Sequence, residues 1–163
     1  MVIQLEQFFN LEGNHKEYEY SFMPELLISD DFISATAIEF SGEISNTAGL
    51  VNLKGKASFT AEIVCSRCAE NFSRKFEIDI EHQLVNELND DDNDMFLLVE
   101  NMQLDLDALI CEDIVLSLPY TFLCKDDCKG ICVKCGKNLN EGLCDCKKDV
   151  DPRLSALLQL LDE

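Results

Sequence analysis

The sequence predicts an α+β protein in which an antiparallel β-sheet, or a partly open barrel, packs against one helix and carries a cysteine-rich C-terminal module. Apolar residues fall at every second position over a long central stretch, and a later stretch repeats them at helical spacing. Eight of the nine cysteines form four close pairs. We therefore expect the 163 residues to divide into a β domain over 1–120 and a cysteine-rich module with a closing helix over 121–163.

The composition predicts a soluble cytoplasmic protein without a membrane partner. Hydrophobic residues make up 47% of the chain, yet no apolar run approaches the roughly 18 residues that cross a bilayer. Residues 1–10 have no basic segment, apolar segment or cleavage site of the kind that directs export. In a reducing cytoplasm, closely spaced cysteines are more often metal ligands than disulfides.

Strand signals dominate the first half of the chain. Apolar residues alternate with polar ones at 18–22 and, more weakly, at 35–44. The clearest alternation covers residues 51–63, and nearly the same spacing resumes over 72–84. These two runs predict a β-hairpin, closed by a turn that carries the cysteines at 65 and 68.

A helix is expected near residues 105–117. Apolar residues recur there every four positions, at Leu106, Ile110 and Ile114. Asp105 or Asp107 can cap its start, and Pro119 ends it. Cys111 lies on an apolar side of this helix, so it is expected to be a small buried hydrophobe and not a metal ligand.

Two further segments have clear local signals. Asn89 to Asp94 contains no apolar residue and is expected to be a solvated loop. Asp151 followed by Pro152 is typical of a helix start, and the leucines beyond it form one stripe, at Leu154, Leu157, Leu158 and Leu161. This closing helix is expected to dock on the core, with partner binding as the alternative.

The cysteine pairs predict metal binding by their spacing. Cys132 and Cys135 are two residues apart, and Gly136 lets the backbone turn past an ion as zinc knuckles require. Cys144 and Cys146 can supply the other half of this site. The eight paired cysteines suffice for two tetrahedral zinc sites, and they can be divided between the sites in three ways.

One division is preferred. It places Cys132, Cys135, Cys144 and Cys146 in one site, and Cys65, Cys68, Cys124 and Cys128 in the other. Free or redox-active thiols are the alternative for Cys65 and Cys68. A site made of four protein thiolates is closed to substrate, which predicts a structural and not a catalytic role for zinc.

The charge is unevenly distributed. The net charge is −19, but residues 54–76 carry five basic residues against two acids. The five are Lys54, Lys56, Arg67, Arg74 and Lys75. They either offset the charge of nearby thiolates, or they form a contact face for RNA or an acidic partner. We take these five as candidate partner-binding residues.

No catalytic residues are predicted. The sequence lacks a nucleophile elbow, a phosphate-binding loop, a dinucleotide fingerprint and an H-E-x-x-H pair. The expectation is a protein that is not an enzyme and has no small-molecule substrate.

The ordered motifs resemble those of the YceD family, also known as domain of unknown function 177. They are Cys65-Ser-Arg-Cys68 after a long strand, Leu118-Pro119 after a helix, C-x3-C-K-G-I-C-x2-C-G-K-N-L-N from Cys124, and Asp151-Pro152-Arg153. The resemblance covers roughly residues 33–161. It implies a role in accumulation of 23S ribosomal RNA, and an association with the gene for large-subunit ribosomal protein L32.

The function predicted from the sequence is that of a non-enzymatic factor in large-subunit assembly. Its expected partner is the precursor of the large-subunit rRNA or a ribosomal protein, with L32 as one candidate. The alternative is a zinc-handling or thiol-redox protein, which would hold its metal in rapid exchange and use a cysteine of low pKa.

Overall fold

A computed structural model describes residues 1–24, 32–87 and 96–146. Its strands are β1 Val2–Gln4, β2 His15–Phe22, β3 Phe32–Ala35, β4 Ile38–Thr47, β5 Leu50–Val64, β6 Asn71–Val85, β7 Leu97–Leu98 and β8 Gln103–Asp105. The helices are α1 Glu6–Asn10 and α2 Leu106–Ser117, with a single 3-10 turn at Glu100–Met102. The solvated loop and the closing helix expected from the sequence lie outside the described residues.

The main sheet has six strands in the order β2-β4-β5-β6-β7, with β3 paired to the far end of β5. All its pairs are antiparallel except the two-residue parallel contact of β6 with β7. Strands β1 and β8 form a separate antiparallel pair. Because β2 and β7 end the order without pairing to each other, the sheet is open, and the described strands do not form a closed barrel.

The β5–β6 hairpin confirms the alternation read from the sequence. Its register runs without a break from the Val51–Leu84 pair to the Val64–Asn71 pair. Side chains of successive strand residues point to opposite faces, so one face of β5 is buried from Val51 to Ile63 except at Gly55. The Cys65–Cys68 turn then joins the two strands at the end of the hairpin.

Helix α2 covers the inner face of the sheet. It buries Leu106, Leu109, Ile110 and Ile114 in the main core. The Asp105 carboxylate accepts a hydrogen bond from the Ala108 N–H at 3.4 Å, which confirms the N-cap. Among the described residues, no helix is long and apolar enough to cross a membrane.

The opposite face of the sheet, here called the outer face, carries charged and small polar side chains. Three rows of directly paired residues cross β2, β4, β5 and β6: Glu17, Glu43, Lys54 and Glu81; Glu19, Ser41, Lys56 and Asp79; Ser21, Glu39, Ser58 and Glu77. These twelve positions hold seven acids and two lysines, a net charge of −5. These three rows are therefore acidic even though they include two of the basic residues singled out above.

One aromatic ring fills the space left by two glycines at the centre of the sheet. Gly42 on β4 pairs directly with Gly55 on β5. A Cβ added at Gly55 would lie 2.7 Å from the Phe40 ring and 2.9 Å from the Gly42 Cα. The buried Phe40 ring thus packs on the backbone of both strands, which requires glycine at these two positions.

Candidate metal centres

Two groups of four thiols come together in the structure. The inner cluster comprises Cys65, Cys68, Cys124 and Cys128, and the outer cluster comprises Cys132, Cys135, Cys144 and Cys146. Within each group all sulfur atoms lie within 4.8 Å of one another. The grouping coincides with the preferred division of the cysteine pairs, while ligation of an ion stays a prediction. Cys111 lies in neither group and packs half-buried against the main core.

The inner cluster has the dimensions of a tetrahedral thiolate site. The Cys65 and Cys128 sulfur atoms are 3.8 Å apart, and those of Cys68 and Cys124 are 3.6 Å apart. Four sulfur ligands at about 2.3 Å from a zinc ion would be spaced about 3.8 Å from each other. A disulfide needs a sulfur separation of about 2.05 Å, so these thiols are free and placed for an ion.

The hairpin turn positions one half of the inner cluster. The Cys65 N–H donates to the Glu70 carbonyl at 2.9 Å, and the Ala69 N–H donates to the Cys65 carbonyl at 2.9 Å. Ala69 has a φ of 58°, a left-handed conformation that turns the chain back after Cys68. Both sulfur atoms of the Cys65–Cys68 turn therefore face the same point.

The second half of the inner cluster is held against this turn by the backbone. The Ser66 N–H donates to the Phe122 carbonyl at 2.8 Å, and the Phe122 N–H donates to the Ser66 hydroxyl oxygen at 3.0 Å. The Cys124 N–H also points to the Cys65 sulfur atom, 3.4 Å away. Since Cys65, Cys68 and Cys128 are buried, an ion in this cluster would be shielded from water.

The outer cluster is built on a knuckle. The Gly136 N–H donates to the Cys132 carbonyl and the Cys132 N–H donates to the Lys137 carbonyl, both at 2.8 Å. Gly136 has a φ of 72°, as the tight turn after the second cysteine requires. Cys135 is exposed, while Cys132 and Cys144 are half-buried. Solvent therefore reaches this cluster more readily than the inner one.

The thiols of the two clusters differ in their pKa values. Burial opposes ionisation of Cys65, but N–H donors outweigh it and lower the pKa of this thiol to about 6. The backbone N–H groups of Cys135 and Lys134 lower the pKa of Cys132 to about 6. Desolvation and neighbouring thiols raise the pKa of Cys124 to about 12. A metal ion would displace the protons that remain, because thiolates are the ligating form.

Asn140 links the segment that carries the outer cluster to the inner cluster. Its Nδ2 donates to the Cys128 sulfur atom at 3.3 Å, and its Oδ1 accepts from the Lys129 N–H at 2.9 Å. The first of these bonds is the main cause of a lowered pKa at Cys128. The sequence does not reveal this role of Asn140, because a hydrogen bond to a sulfur atom twelve residues away has no local signature.

Replacing Asn140 with alanine should weaken metal retention in the inner cluster. The Cys128 thiolate would lose its amide donor, so its pKa would rise, and loss of such an outer partner costs about tenfold in metal affinity. Competition with a chromophoric chelator measures this change. Glu141→Ala, at the exposed neighbouring position, is the matched control. Equal retention in the two variants would contradict the role given to Asn140.

The structure separates the five candidate partner-binding residues into two groups. Arg67 Nη1 donates to the Cys128 carbonyl at 3.1 Å, and Arg74 Nη2 donates to the Leu123 carbonyl at 2.8 Å. The Arg74 guanidinium also lies 5.3 Å from the centre of the Phe72 ring. Both arginines therefore fasten the cysteine-rich segment to the hairpin.

The three lysines lie elsewhere, on exposed positions of the hairpin strands, and each forms an ion pair with an acid. Lys54 pairs with Glu81 at 2.6 Å, Lys56 with Asp79 at 3.1 Å and Lys75 with Glu77 at 2.6 Å. The charge of the basic segment is thus offset by acids of β6. Contact of any of the five residues with a partner stays a prediction.

Arg74→Ala and Lys75→Ala should differ in their effect on stability. The Arg74 variant loses a charge-assisted hydrogen bond to a carbonyl and the packing of the guanidinium on the Phe72 ring. We expect its free energy of unfolding to fall by about 1.5–3 kcal/mol. The Lys75 variant loses only an exposed ion pair that solvent screens, so we expect a much smaller loss than for Arg74. Urea denaturation of both variants measures the difference. Similar losses would show that Arg74 does not fasten the segment.

Together these features define a class: a mostly antiparallel sheet protein with few helices and two four-cysteine groups that can hold metal ions. The YceD family, described as large ribosomal RNA subunit accumulation protein YceD, matches residues 53–161, which include all eight clustered cysteines. The chain belongs to this family.

A curated relative covers a shorter stretch. The chain is 38% identical over 50 residues to "Large ribosomal RNA subunit accumulation protein YCED homolog 1, chloroplastic" from Arabidopsis thaliana. The matched stretch is 31% of this chain and 16% of the length of that relative. No solved structure shows a significant match to the chain.

Proposed function

We infer that the protein is a non-enzymatic factor that supports accumulation of large-subunit ribosomal RNA and assembly of the large subunit. The family match over residues 53–161 carries this proposal, because the family is described by that role. The printed name of the Arabidopsis relative supports it. A cytoplasmic location accords with nine free cysteines, since a reducing compartment keeps thiols available for metal.

Zinc is the proposed metal of both clusters. Four cysteine sulfur atoms at tetrahedral spacing are the donor set that zinc takes in structural sites. With all four positions occupied by protein thiolates, the ion would have no open position for substrate, which supports a structural role and a protein without catalytic residues. The zinc ions would stabilise the module proposed for residues 121–163 and join it to the β domain of 1–120 through Cys65 and Cys68.

The proposed partner is precursor rRNA or a ribosomal protein such as L32. Among the five candidate contact residues, Lys54, Lys56 and Lys75 are the ones that can be tested without disturbing the cysteine-rich segment, since their charged ends are exposed. Replacing Arg67 or Arg74 would remove a proposed contact with the partner and also a hydrogen bond that holds the cysteine-rich segment on the hairpin.

Depletion of the protein in its own cells tests the function. We expect large-subunit rRNA to fall relative to small-subunit rRNA, and the wild-type chain to restore the ratio. Complementation with Cys65→Ser tests the need for the inner cluster, and complementation with Lys54→Gln/Lys56→Gln/Lys75→Gln tests the lysines. An unchanged rRNA ratio after depletion would refute the assembly role.

A zinc-handling or thiol-redox protein is the second candidate, and the outer cluster favours it. Its Cys135 is exposed, and the pKa of Cys132 is lowered to about 6. Such a protein should release the outer ion to a chelator within seconds and the inner ion far more slowly. If both ions resist the chelator for hours, this candidate is excluded.

A further inference from the structure

We propose that the free edge of β2 and the acidic half of the outer face beside it bind an extended, cationic polypeptide strand. The strand would come from an RNA-binding protein, and only this choice of source rests on the proposed function. The binding surface itself follows from the pairing of the strands and from the distribution of charge on the sheet.

Strand β2 has an open edge. All eight of its residues pair with β4 in one uninterrupted register, and no described residue pairs with its other side. It contains neither proline nor bulge, so its protection against strand pairing comes from its charged side chains, which repel strands of like charge. The opposite edge strand β7 is only two residues long, and β3 has four residues with a register shift. Unpaired N–H and C=O groups along β2 can therefore accept an added strand.

The acids beside this edge outnumber the lysines near them: Lys54 stands opposite Glu43, but it forms its ion pair with Glu81. On the outer face, β2 and β4 carry Glu17, Glu19, Glu39 and Glu43 and no basic residue, whereas both lysines of the three rows lie on β5. Glu17 stands directly opposite Glu43, an arrangement that destabilises a strand pair. Lys16 is the single lysine of β2, and its Nζ lies 5.1 Å from the centre of the Tyr18 ring. Because successive side chains of a strand point to opposite faces, Lys16 does not lie on the outer face with Glu17 and Glu19.

The outer face also has room for long side chains. Two hollows of about 540 and 580 Å³ lie along it, and they share Glu19, Ser41 and Lys56 in their walls. They form where β4 and β5 carry short side chains on the outer face, at Ser41 and Ser58. A lysine or arginine reaching inward from an added strand would lie in these hollows among the four glutamates.

A cationic polypeptide fits these observations better than RNA or a second copy of the chain. RNA would bring phosphates to a face of net charge −5, and a second β2 would bring its own Glu17 and Glu19 to the same edge. An added strand alternates its side chains, so every second residue would face Glu17 or Glu19 and should be lysine or arginine. Proteins that bind rRNA are rich in these residues, because they must neutralise phosphates.

Binding of a fluorescein-labelled peptide of alternating lysine and threonine to the full metal-loaded chain tests the surface by fluorescence anisotropy. We expect Glu17→Gln/Glu19→Gln to weaken binding about tenfold. Glu100→Gln/Glu112→Gln, which removes the same charge from exposed positions outside the outer face, should change it by less than about twofold. A larger loss in the control pair than in the edge pair would overturn the proposal.

Backbone pairing is tested separately with two N-methylated forms of the peptide. In an added strand, every second amide donates a hydrogen bond to β2, and the amides between them point to solvent. Methylation of the first set blocks these hydrogen bonds, whereas methylation of the second set leaves them intact. We expect one form to lose binding and the other to keep it. Equal binding of both forms would reduce the contact to charge alone and overturn strand addition.

The lysine variant Lys54→Gln/Lys56→Gln separates polypeptide from RNA. It makes the outer face more acidic, so peptide binding should stay equal or tighten, whereas binding of a single-stranded RNA oligonucleotide to this face would weaken. RNA binding that depends on these lysines, or a dimer that the peptide does not dissociate, would overturn the proposal. Failure of the rRNA depletion experiment would refute the assembly role while leaving this binding result intact.

Discussion

Replacing Cys65 with serine should remove one metal ion per chain and release the cysteine-rich segment from the sheet. The inner cluster takes half of its ligands from the hairpin turn and half from residues 124–128, so its ion would be a crosslink between them. Structural zinc sites in small modules contribute about 10–16 kcal/mol of binding free energy, which also drives local folding. The loss should therefore be the largest of any single substitution proposed for this chain.

Metal analysis and thermal denaturation measure this effect. Cys135→Ser is the matched comparison, because it also removes one thiolate but from the outer cluster, which takes no ligand from the sheet. We expect it to lose one ion and to leave the main unfolding transition of the sheet near its original temperature. Cys111→Ser should keep both ions, since this thiol lies outside the two groups. Identical transitions for Cys65→Ser and Cys135→Ser would contradict the crosslink.

Gly55→Ala should destabilise the sheet by about 1–3 kcal/mol, although alanine normally suits a strand interior better than glycine. The added Cβ would lie 2.7 Å from two atoms of the Phe40 ring and 2.9 Å from the Gly42 Cα. One contact is with the backbone of the neighbouring strand, so a side-chain rotation cannot relieve it. The ring is buried in the core and has little space to retreat.

Urea denaturation of Gly55→Ala measures whether the free energy of unfolding falls as expected. Ser58→Ala on the same strand is a suitable control, because its side chain lies on the outer face and should change stability by less than about 0.5 kcal/mol. Combining Gly55→Ala with Phe40→Leu should recover part of the loss, because the ring contact is removed. A stabilised Gly55→Ala chain would show that the two strands can separate more easily than the packing implies.

The main sheet could be anticipated because its signals are local. Alternation over residues 51–63 places one face of β5 in the core, and the same period in β6 completes the hairpin. Helix α2 was predicted almost to the residue, because Asp105 caps it and Pro119 follows it. The close cysteine pairs were accessible for a similar reason, because their spacing indicates shared ions before any fold is known. Their division into two groups was not, since the spacing allows three divisions.

Features that depend on contacts between distant residues could not be predicted from the sequence. Strand β1 pairs with β8 about one hundred residues later, and each has only three residues, too few for a visible period. Helix α1 has five residues and buries one, Phe8. The ion pairs of the basic segment could not be predicted either, since the acids that pair with Lys54 and Lys56 lie on β6, outside the window in which the charges were counted.

The wide separation of the inner thiols has a consequence for the order of events during synthesis. Cys65 and Cys128 are 63 positions apart, and Cys68 and Cys124 are 56 apart. At a synthesis rate of roughly 5–20 residues per second, Cys65 and Cys68 leave the ribosome several seconds before Cys124 and Cys128. During that interval the nascent chain offers an ion only two of the four thiolates, and β5 and β6 have time to pair, since a β-hairpin forms in roughly microseconds. Metal capture at this point would therefore mark a chain whose hairpin has already formed.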